Sequence, residues 1–382
     1  METTRKVNLP FRSSRLTPRL FSPNAPLVFP PENPHAYMPD RPLTIRTEAF
    51  ARAGLIGNPS DGYFGKTISF IVRNYSARVE LIESDKIEIV PNERDHSLFD
   101  SIDQLVADVA LYGYYGGVRL LKASVKRFHR ECKARGIPLH DRCFRLKYHS
   151  TIPSRVGMAG SSAIITACFR ALMKFYQVTE KDIPREMLPT IILSVENEEL
   201  GIPAGLQDRV IQVYEGSVFM DFEKKHLESA GHGHYEEINP KLLPPLYVAF
   251  KTKLGEGTEV PHNDIRKRWN AGDREVHDAM QMWASLAQQA RDLLVAGRGS
   301  ELAPLLNANF DLRRKVYGDM MGAGNIQMVE TARSVGCSAK FTGSGGAIVG
   351  TYDDEAMFAR LVNKMEPLGV VVCKPQILPR TR

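Results

Sequence analysis

Apolar and polar residues alternate with two different periods after Thr47. Ala51–Gly57 is a short apolar stretch ending in Gly-Asn, which predicts a strand running into a loop. Thr67–Val72 and Ala77–Ile82 are β-branched runs of period two, and Cys143–Tyr148 alternates in the same way, so each predicts a strand. The period lengthens over Gly117–Arg135, where Val118, Leu121, Val125 and Phe128 predict one face of an amphipathic helix. Helices are also expected over Ile164–Tyr176 and Arg185–Leu200. The second half opens after the loop around His232, Pro240 and the Pro244-Pro245 pair. It reads as one strand at Leu246–Phe250, a helical middle from about Asn263 to Arg333, then strand, glycine turn, strand, helix and strand. Mixed elements without strict βαβ alternation predict an α+β protein. The expected organisation is a tail over residues 1–45, one domain over 46–235 and a second over 236–382.

Composition narrows the function classes. The 382 residues are 43% hydrophobic and 25% charged, an ordinary globular balance with length for two domains. No apolar run approaches the roughly 20 residues that cross a bilayer, and no charged-then-apolar leader opens the chain, so no membrane partner is expected. The net charge is +6, but residues 1–45 hold half of it, with Arg5, Lys6, Arg12, Arg15, Arg19 and Arg41 against Glu2, Glu32 and Asp40. What remains is too dilute for a nucleic-acid phosphate footprint. The same segment carries nine of the 24 prolines and predicts a flexible tail; its Arg-rich, acid-poor opening also has the character of a transit peptide. Cys132, Cys143, Cys168, Cys337 and Cys373 are odd in number and lack C-x-x-C pairing. They predict reduced thiols in a cytoplasmic protein, without a disulfide framework or a zinc site.

Three glycine-rich segments compete as phosphate binders. Ser60–Thr67 nearly matches the pattern G-x-x-x-x-G-K-[ST], but Ser60 stands where that loop needs a glycine to wrap a phosphate. Pro153-Ser-Arg-Val-Gly-Met-Ala-Gly-Ser-Ser-Ala163 lies between a predicted strand and a long helix. Its glycines let backbone approach a ligand, and the helix behind aims free N–H groups and its positive dipole end at the same point. Ser161 and Ser162 offer hydroxyls to a phosphate oxygen or to Mg²⁺, a hard cation that prefers oxygen; they equally suit a helix N-cap. Lys340–Ala347 holds more glycine than a hairpin needs, which suggests close contact with a ligand. Glu196 and Asp208, on either side of the Gly201–Gly205 break, can face one cavity from different elements. Phosphoryl transfer to a hydroxyl uses two such acids, one for the metal and one for the nucleophile. His226, His232 and His234 cluster too, and read as polar loop residues.

Taken in order, the blocks at 51–61, 153–163 and 340–346 resemble the GHMP small-molecule kinases. That family has an N-terminal substrate motif, a central P-x-x-x-G-L-x-S-S-A loop and a C-terminal K-x-T-G-x-G-G turn. The resemblance covers the chain after the tail. It implies a ribosomal-S5-like N-terminal domain and a ferredoxin-like C-terminal domain with the site in the cleft, ATP as co-substrate, and Mg²⁺. It implies that Asp208 is the catalytic aspartate with Arg52 beside it, and that Glu196 binds metal together with Ser161 or Ser162. It assigns ATP to Pro153, Val156, Gly157, Met158, Ala159, Gly160, Ser161, Ser162 and Ala163, with Gly343, Ser344 and Gly345. Met158 replaces the usual leucine, and the loop has one extra residue, so either serine fits the metal role. Asn58-Pro59 replaces the Glu-His pair of galactokinases, which argues against galactose.

A closer likeness is to the plant-type glucuronokinases, carried by Gly57–Gly65, Gly113–Leu121, Ala204–Arg209 and Asn309–Arg314. It implies transfer of the ATP γ-phosphoryl group to O1 of D-glucuronate, giving the 1-phosphate that feeds UDP-glucuronate synthesis. Gly57, Asn58, Asp61 and Tyr63 are then expected at the sugar, with Arg209, Arg313 and Arg314 as sources of positive charge for its carboxylate. The alternatives are a GHMP kinase for another sugar, such as a heptose or arabinose, and a sensor of this fold that binds without turnover. Retention of Asp208, Glu196 and Arg52 together favours a kinase.

Overall fold

Two long strands, β1 (Thr44–Ile56) and β2 (Lys66–Ser84), run antiparallel and carry the candidate site at one end. The computed structural model describes residues 42–91, 95, 116–251 and 260–380, so the expected tail up to Arg41 and the start of the Gly113–Leu121 block lie outside the described residues. The tail boundary drawn at residue 45 is two residues late, because Thr44 and Ile45 already pair with Ile82 and Leu81. Thr67–Val72 and Ala77–Ile82 are one strand, not two. Phe50 faces Ser76 while Ala51 faces Val72, so residues 73–75 of β2 form a bulge that breaks the sequence alternation. Phe50–Ile56 and Thr67–Val72 are buried throughout, which requires cover on both faces and explains their continuous apolar character.

The rest of this sheet is built along the other edge of β2. Its C-terminal half pairs with β4 (Cys143–Ser150), which also holds the short parallel strand β3 (Glu88–Ile89). Its N-terminal half pairs with β5 (Ser217–Asp221), which in turn pairs with β6 (His234–Ile238). Helix α1 (Gly117–Ala134) starts where the Asp95 carboxylate accepts from Gly117 N at 2.8 Å and Val118 N at 3.3 Å, satisfying two of its free donors. Helix α2 (Gly160–Phe175) packs on β1 and β2 behind the central glycine-rich loop. The expected helix over Arg185–Leu200 is shorter: α3 (Leu188–Ser194) gives way to a π-helical turn at Val195–Glu199. After the Gly201–Gly205 break comes α4 (Gln207–Tyr214), and α5 (Lys224–Ala230) bridges β5 and β6.

The second sheet is wholly antiparallel, in the order β10 (Val370–Cys373), β7 (Leu246–Lys251), β9 (Ala347–Thr351), β8 (Lys340–Phe341). Its helices are α6 (Val260–Asn270), α7 (Arg274–Val295), α8 (Leu302–Tyr317), α9 (Ala323–Ser334) and α10 (Glu355–Met365). Asp273 caps α7 by accepting from Glu275 N and Val276 N. Helix α7 then lies against β1 and β2, burying Trp283, Leu286 and Ala287 and tying the second half to the first. The architecture is α+β, as expected. Among the described residues, no helix is long and apolar enough to cross a membrane.

Candidate active site

The end of β1 meets the two glycine-rich loops. Arg52 N donates to Met158 O at 3.3 Å and Gly54 N to Thr342 O at 2.9 Å, so the strand end is hydrogen-bonded to the central loop and to the C-terminal turn. Gly157 has φ +67°, and a Cβ there would lie 2.7 Å from Gly345 O; one on Gly343 would lie 2.8 Å from Gly157 O. Side chains at either position would drive the loops apart. Lys340 is fully buried and donates to Gly54 O at 2.6 Å and Asn58 Oδ1 at 2.5 Å. Burial, with Arg313 and Arg52 nearby, holds its amine well below the usual lysine range. Asn309 on α8 accepts from Gly57 N at 2.8 Å and donates to Asn58 O at 3.3 Å, which clasps the loop after β1 from the second half of the chain.

Arg52 is the hub of this junction. Its Nε donates to Asp208 Oδ1 at 2.6 Å, and Nη1 donates to Gly157 O at 2.6 Å. Asp208 sits in the first turn of α4, where the helix N-terminus favours a carboxylate. Glu196 lies on the π turn, and Ser161 Oγ donates to its Oε1 at 2.9 Å. Single π turns often mark functional positions because they re-aim one side chain out of helical register. Arg209 pairs with the other Glu196 oxygen and donates to Gly205 O at 2.9 Å. Burial pushes the Arg209 guanidinium down to about 9, with Arg52 adding to the effect, so it stays charged at neutral pH. Ser162 is buried and donates to Ala159 O at 3.2 Å, so of the two candidate serines it is Ser161 that meets Glu196. No side chain caps α2, which leaves its first amides directed at the loop.

These groups fit a magnesium–nucleotide pair. Mg²⁺ usually takes one or two protein oxygen ligands and completes its shell with water and substrate phosphates. Ser161 and Glu196 supply such a small oxygen set. Among the described residues no group of three or more His, Cys, Asp and Glu is arranged to hold a metal, and that includes His226, His232 and His234.

Beside this junction lies a cavity of about 470 Å³, lined by Pro59, Asp61, Gly62, Tyr63, Asn197, residues 201–205 and Arg266. That volume is within the usual range of small-molecule sites, roughly 300–1,000 Å³. Asp61 forms part of its wall: a Cβ on Gly205 would lie 2.4 Å from Asp61 Oδ2. Larger cavities of 560 and 700 Å³ open elsewhere, with none of these residues in their walls. The first contains Glu215, which pairs with Arg73 and Arg170 at 2.5 and 3.0 Å, so its central charges are already satisfied. Chemistry, not size, selects the 470 Å³ cavity.

Burial and the nearby Asp208 charge, opposed by Arg52, push the Asp61 carboxyl up to about 6. An acid raised on folding stabilises the fold most below about pH 4, and that contribution is lost as pH rises through about 6. Asp61→Asn is therefore expected to stabilise the protein at pH 8 by about 1–2 kcal/mol, with the gain vanishing near pH 4. Urea unfolding at pH 4, 6 and 8 checks this; a pH-independent difference would assign the effect to packing.

The expected carboxylate-binding arginines are engaged elsewhere. Arg313 is buried and donates to Gly343 O at 2.7 Å and Ser344 O at 3.2 Å, bracing the C-terminal turn between the Tyr317 and Phe341 rings. Arg314 is exposed and pairs with Glu330 at 2.7 Å. Arg209 serves Glu196. Among the described residues the arginine lining the cavity is Arg266, which the sequence alone did not single out. It stands in the charged run Asp264-Ile-Arg-Lys-Arg268, where nothing distinguishes it from its neighbours.

Residues 119–216 match the model of the GHMP kinases N terminal domain. Over 304 residues the chain is 48% identical to "Probable glucuronokinase 2" of Arabidopsis thaliana, covering 79% of this chain and 82% of the relative. It is 46% identical to "Glucuronokinase 1" of the same plant over 307 residues, covering 80% and 84%. Among solved structures, Lactococcus lactis galactokinase complexed with galactose superposes with a TM-score of 0.68 at 18% identity, covering 87% of this chain and 93% of that one.

Proposed function

The chain belongs to the GHMP kinase family, and from that premise we propose that it transfers the γ-phosphoryl group of ATP to the anomeric hydroxyl of D-glucuronate. The carrying observation is the Arg52–Asp208 pair, held at 2.6 Å where the two glycine-rich loops meet and beside the cavity walled by Asp61. Near half identity to two glucuronokinases over four-fifths of the chain supports the sugar acid as acceptor.

In this reading the nucleotide phosphates lie against the N-terminus of α2 and the loop at 153–163. Ser161 and Glu196 would hold the divalent cation, which would neutralise charge on the phosphates. The sugar occupies the 470 Å³ cavity with O1 toward Asp208. Asp208 accepts the O1 proton as O1 bonds to the γ-phosphorus and the bond to the bridging oxygen of ADP breaks. Arg52 fixes the carboxylate through Nε and, anchored on Gly157 O, keeps a positive charge beside the transferring group.

A coupled ADP-release assay over free sugars and uronic acids, with and without Mg²⁺, tests the proposal. kcat/KM for glucuronate is expected to exceed that for glucose or galactose by at least about 10², because a site built for a charged group leaves its own polar groups unpaired with a neutral analogue. Comparable rates on a neutral hexose would refute the sugar-acid reading and leave the kinase reading standing.

A further inference from the structure

We propose that Arg266 is the specificity-determining residue of the sugar site, binding the carboxylate that distinguishes a uronic acid from a neutral hexose. The inference rests on the kinase and uronate reading above and names the side chain that does the discriminating.

Four observations carry it. Among the described residues Arg266 is the cation in the wall of the 470 Å³ cavity, which Asp61 lines as well. Its guanidinium is already held in place: the carbon lies 4.1 Å from the centre of the Tyr63 ring, and Nη2 donates to Gly62 O at 2.8 Å. Tyr63 is itself backed by Trp269, with ring centres 5.0 Å apart. Among the described residues no carboxylate pairs with Arg266, whereas Arg209 and Arg314 are bound to Glu196 and Glu330.

A guanidinium has five N–H donors in one plane, and the bond to Gly62 uses one of them. A carboxylate accepts two parallel hydrogen bonds from such a fork, which gives direction as well as charge. Stacking on Tyr63 fixes the plane before the substrate arrives, so little rotamer freedom is lost on binding. The cavity wall is also polarised: Asp61 faces Gly205 close to Asp208, while Arg266 belongs to helix α6 and meets the cavity at Gly62 and Tyr63. A pyranose with O1 at Asp208 thus has hydroxyls to offer Asp61 and a charged C6 group to offer Arg266. Arg266 is an exposed residue, so a neutral hexose forgoes the charge-assisted pair of hydrogen bonds that a carboxylate makes with the fork.

The test is steady-state kinetics of wild type, Arg266→Gln and Arg266→Lys on glucuronate, galacturonate, glucose and galactose, with melting temperatures for each protein. Arg266→Gln is expected to lower kcat/KM for glucuronate about 10²-fold, mostly through KM, while activity on glucose changes less than about threefold. Arg266→Lys keeps the charge but loses the fork, and should fall between the two. A Gln variant that stays selective for the acid would overturn the role of Arg266 and leave the uronate reading intact. An equal loss on acid and neutral sugars would assign Arg266 to structure instead. A wild type that prefers neutral hexoses would overturn both readings together.

Discussion

Asp208→Asn is expected to lower kcat by about 10²–10⁴, the range for losing a positioned general base, with the fold intact. Asparagine has the same shape, and its amide oxygen can still accept the Arg52 Nε–H that now runs to Oδ1 at 2.6 Å. What it cannot do is take a proton from the sugar hydroxyl. KM for ATP should change little, because the amides of α2 and the glycine loops do not depend on that charge. Arg52 would retain its hydrogen bonds to Gly157 O and, at 3.4 Å, Thr342 O. Single-turnover kinetics on a variant with unchanged circular dichroism and melting temperature make the decisive measurement. Near-normal turnover would remove Asp208 from the chemistry.

The second large effect is expected at Glu196. Its side chain and that of Arg209 are 4% and 3% exposed, and the two are directly paired. Breaking a buried pair from one side leaves the other charge uncompensated, at a cost of about 3–5 kcal/mol. Glu196→Gln should approach the lower end of that range, since its single amide oxygen can still accept from Arg209 while its NH2 donates to Ser161 Oγ. The double variant Glu196→Leu/Arg209→Met replaces both charges by apolar groups of similar size and is expected to recover most of the stability, while remaining inactive. Urea unfolding of the single and double variants gives the coupling. In the metal role, Glu196→Gln also raises the Mg²⁺ concentration for half-maximal rate more than it raises KM for the sugar. Unchanged Mg²⁺ dependence with a collapse of sugar binding would move Glu196 into the substrate pocket.

These two acids differ in how visible they are in the chain. Asp208 follows a glycine break and opens a helix, a pattern that can be read locally. Glu196 was legible as an acid near a helix end, but its aim comes from a π turn, and no residue pattern distinguished Val195–Glu199 from ordinary helix. Strands β5 and β6 escaped for a related reason. Ser217–Asp221 and His234–Ile238 are five residues each, and β6 has few apolar side chains; β5 takes strand form because the free edge of β2 offers hydrogen bonds, and β6 because β5 then offers its own.

By itself the chain determined the class of fold, the three loops and the order in which they occur. Hydrophobic periodicity depends on neighbours three or four residues away, and glycine density marks backbone that must run close to something, so both survive in one dimension. Tertiary structure alone decided what each charged side chain meets. The Asn309–Arg314 block supplied two candidate arginines, and packing gave its residues different tasks: Asn309 clasps the loop after β1, Arg313 braces the C-terminal turn, and Arg314 faces water. Arg266 was inconspicuous in its run of charges and came to line the 470 Å³ cavity because α6 folds back over Gly62 and Tyr63, some two hundred residues earlier in the chain. An arginine's role is set by which acceptors lie within about 3 Å of its guanidinium, and those distances belong to the packed chain.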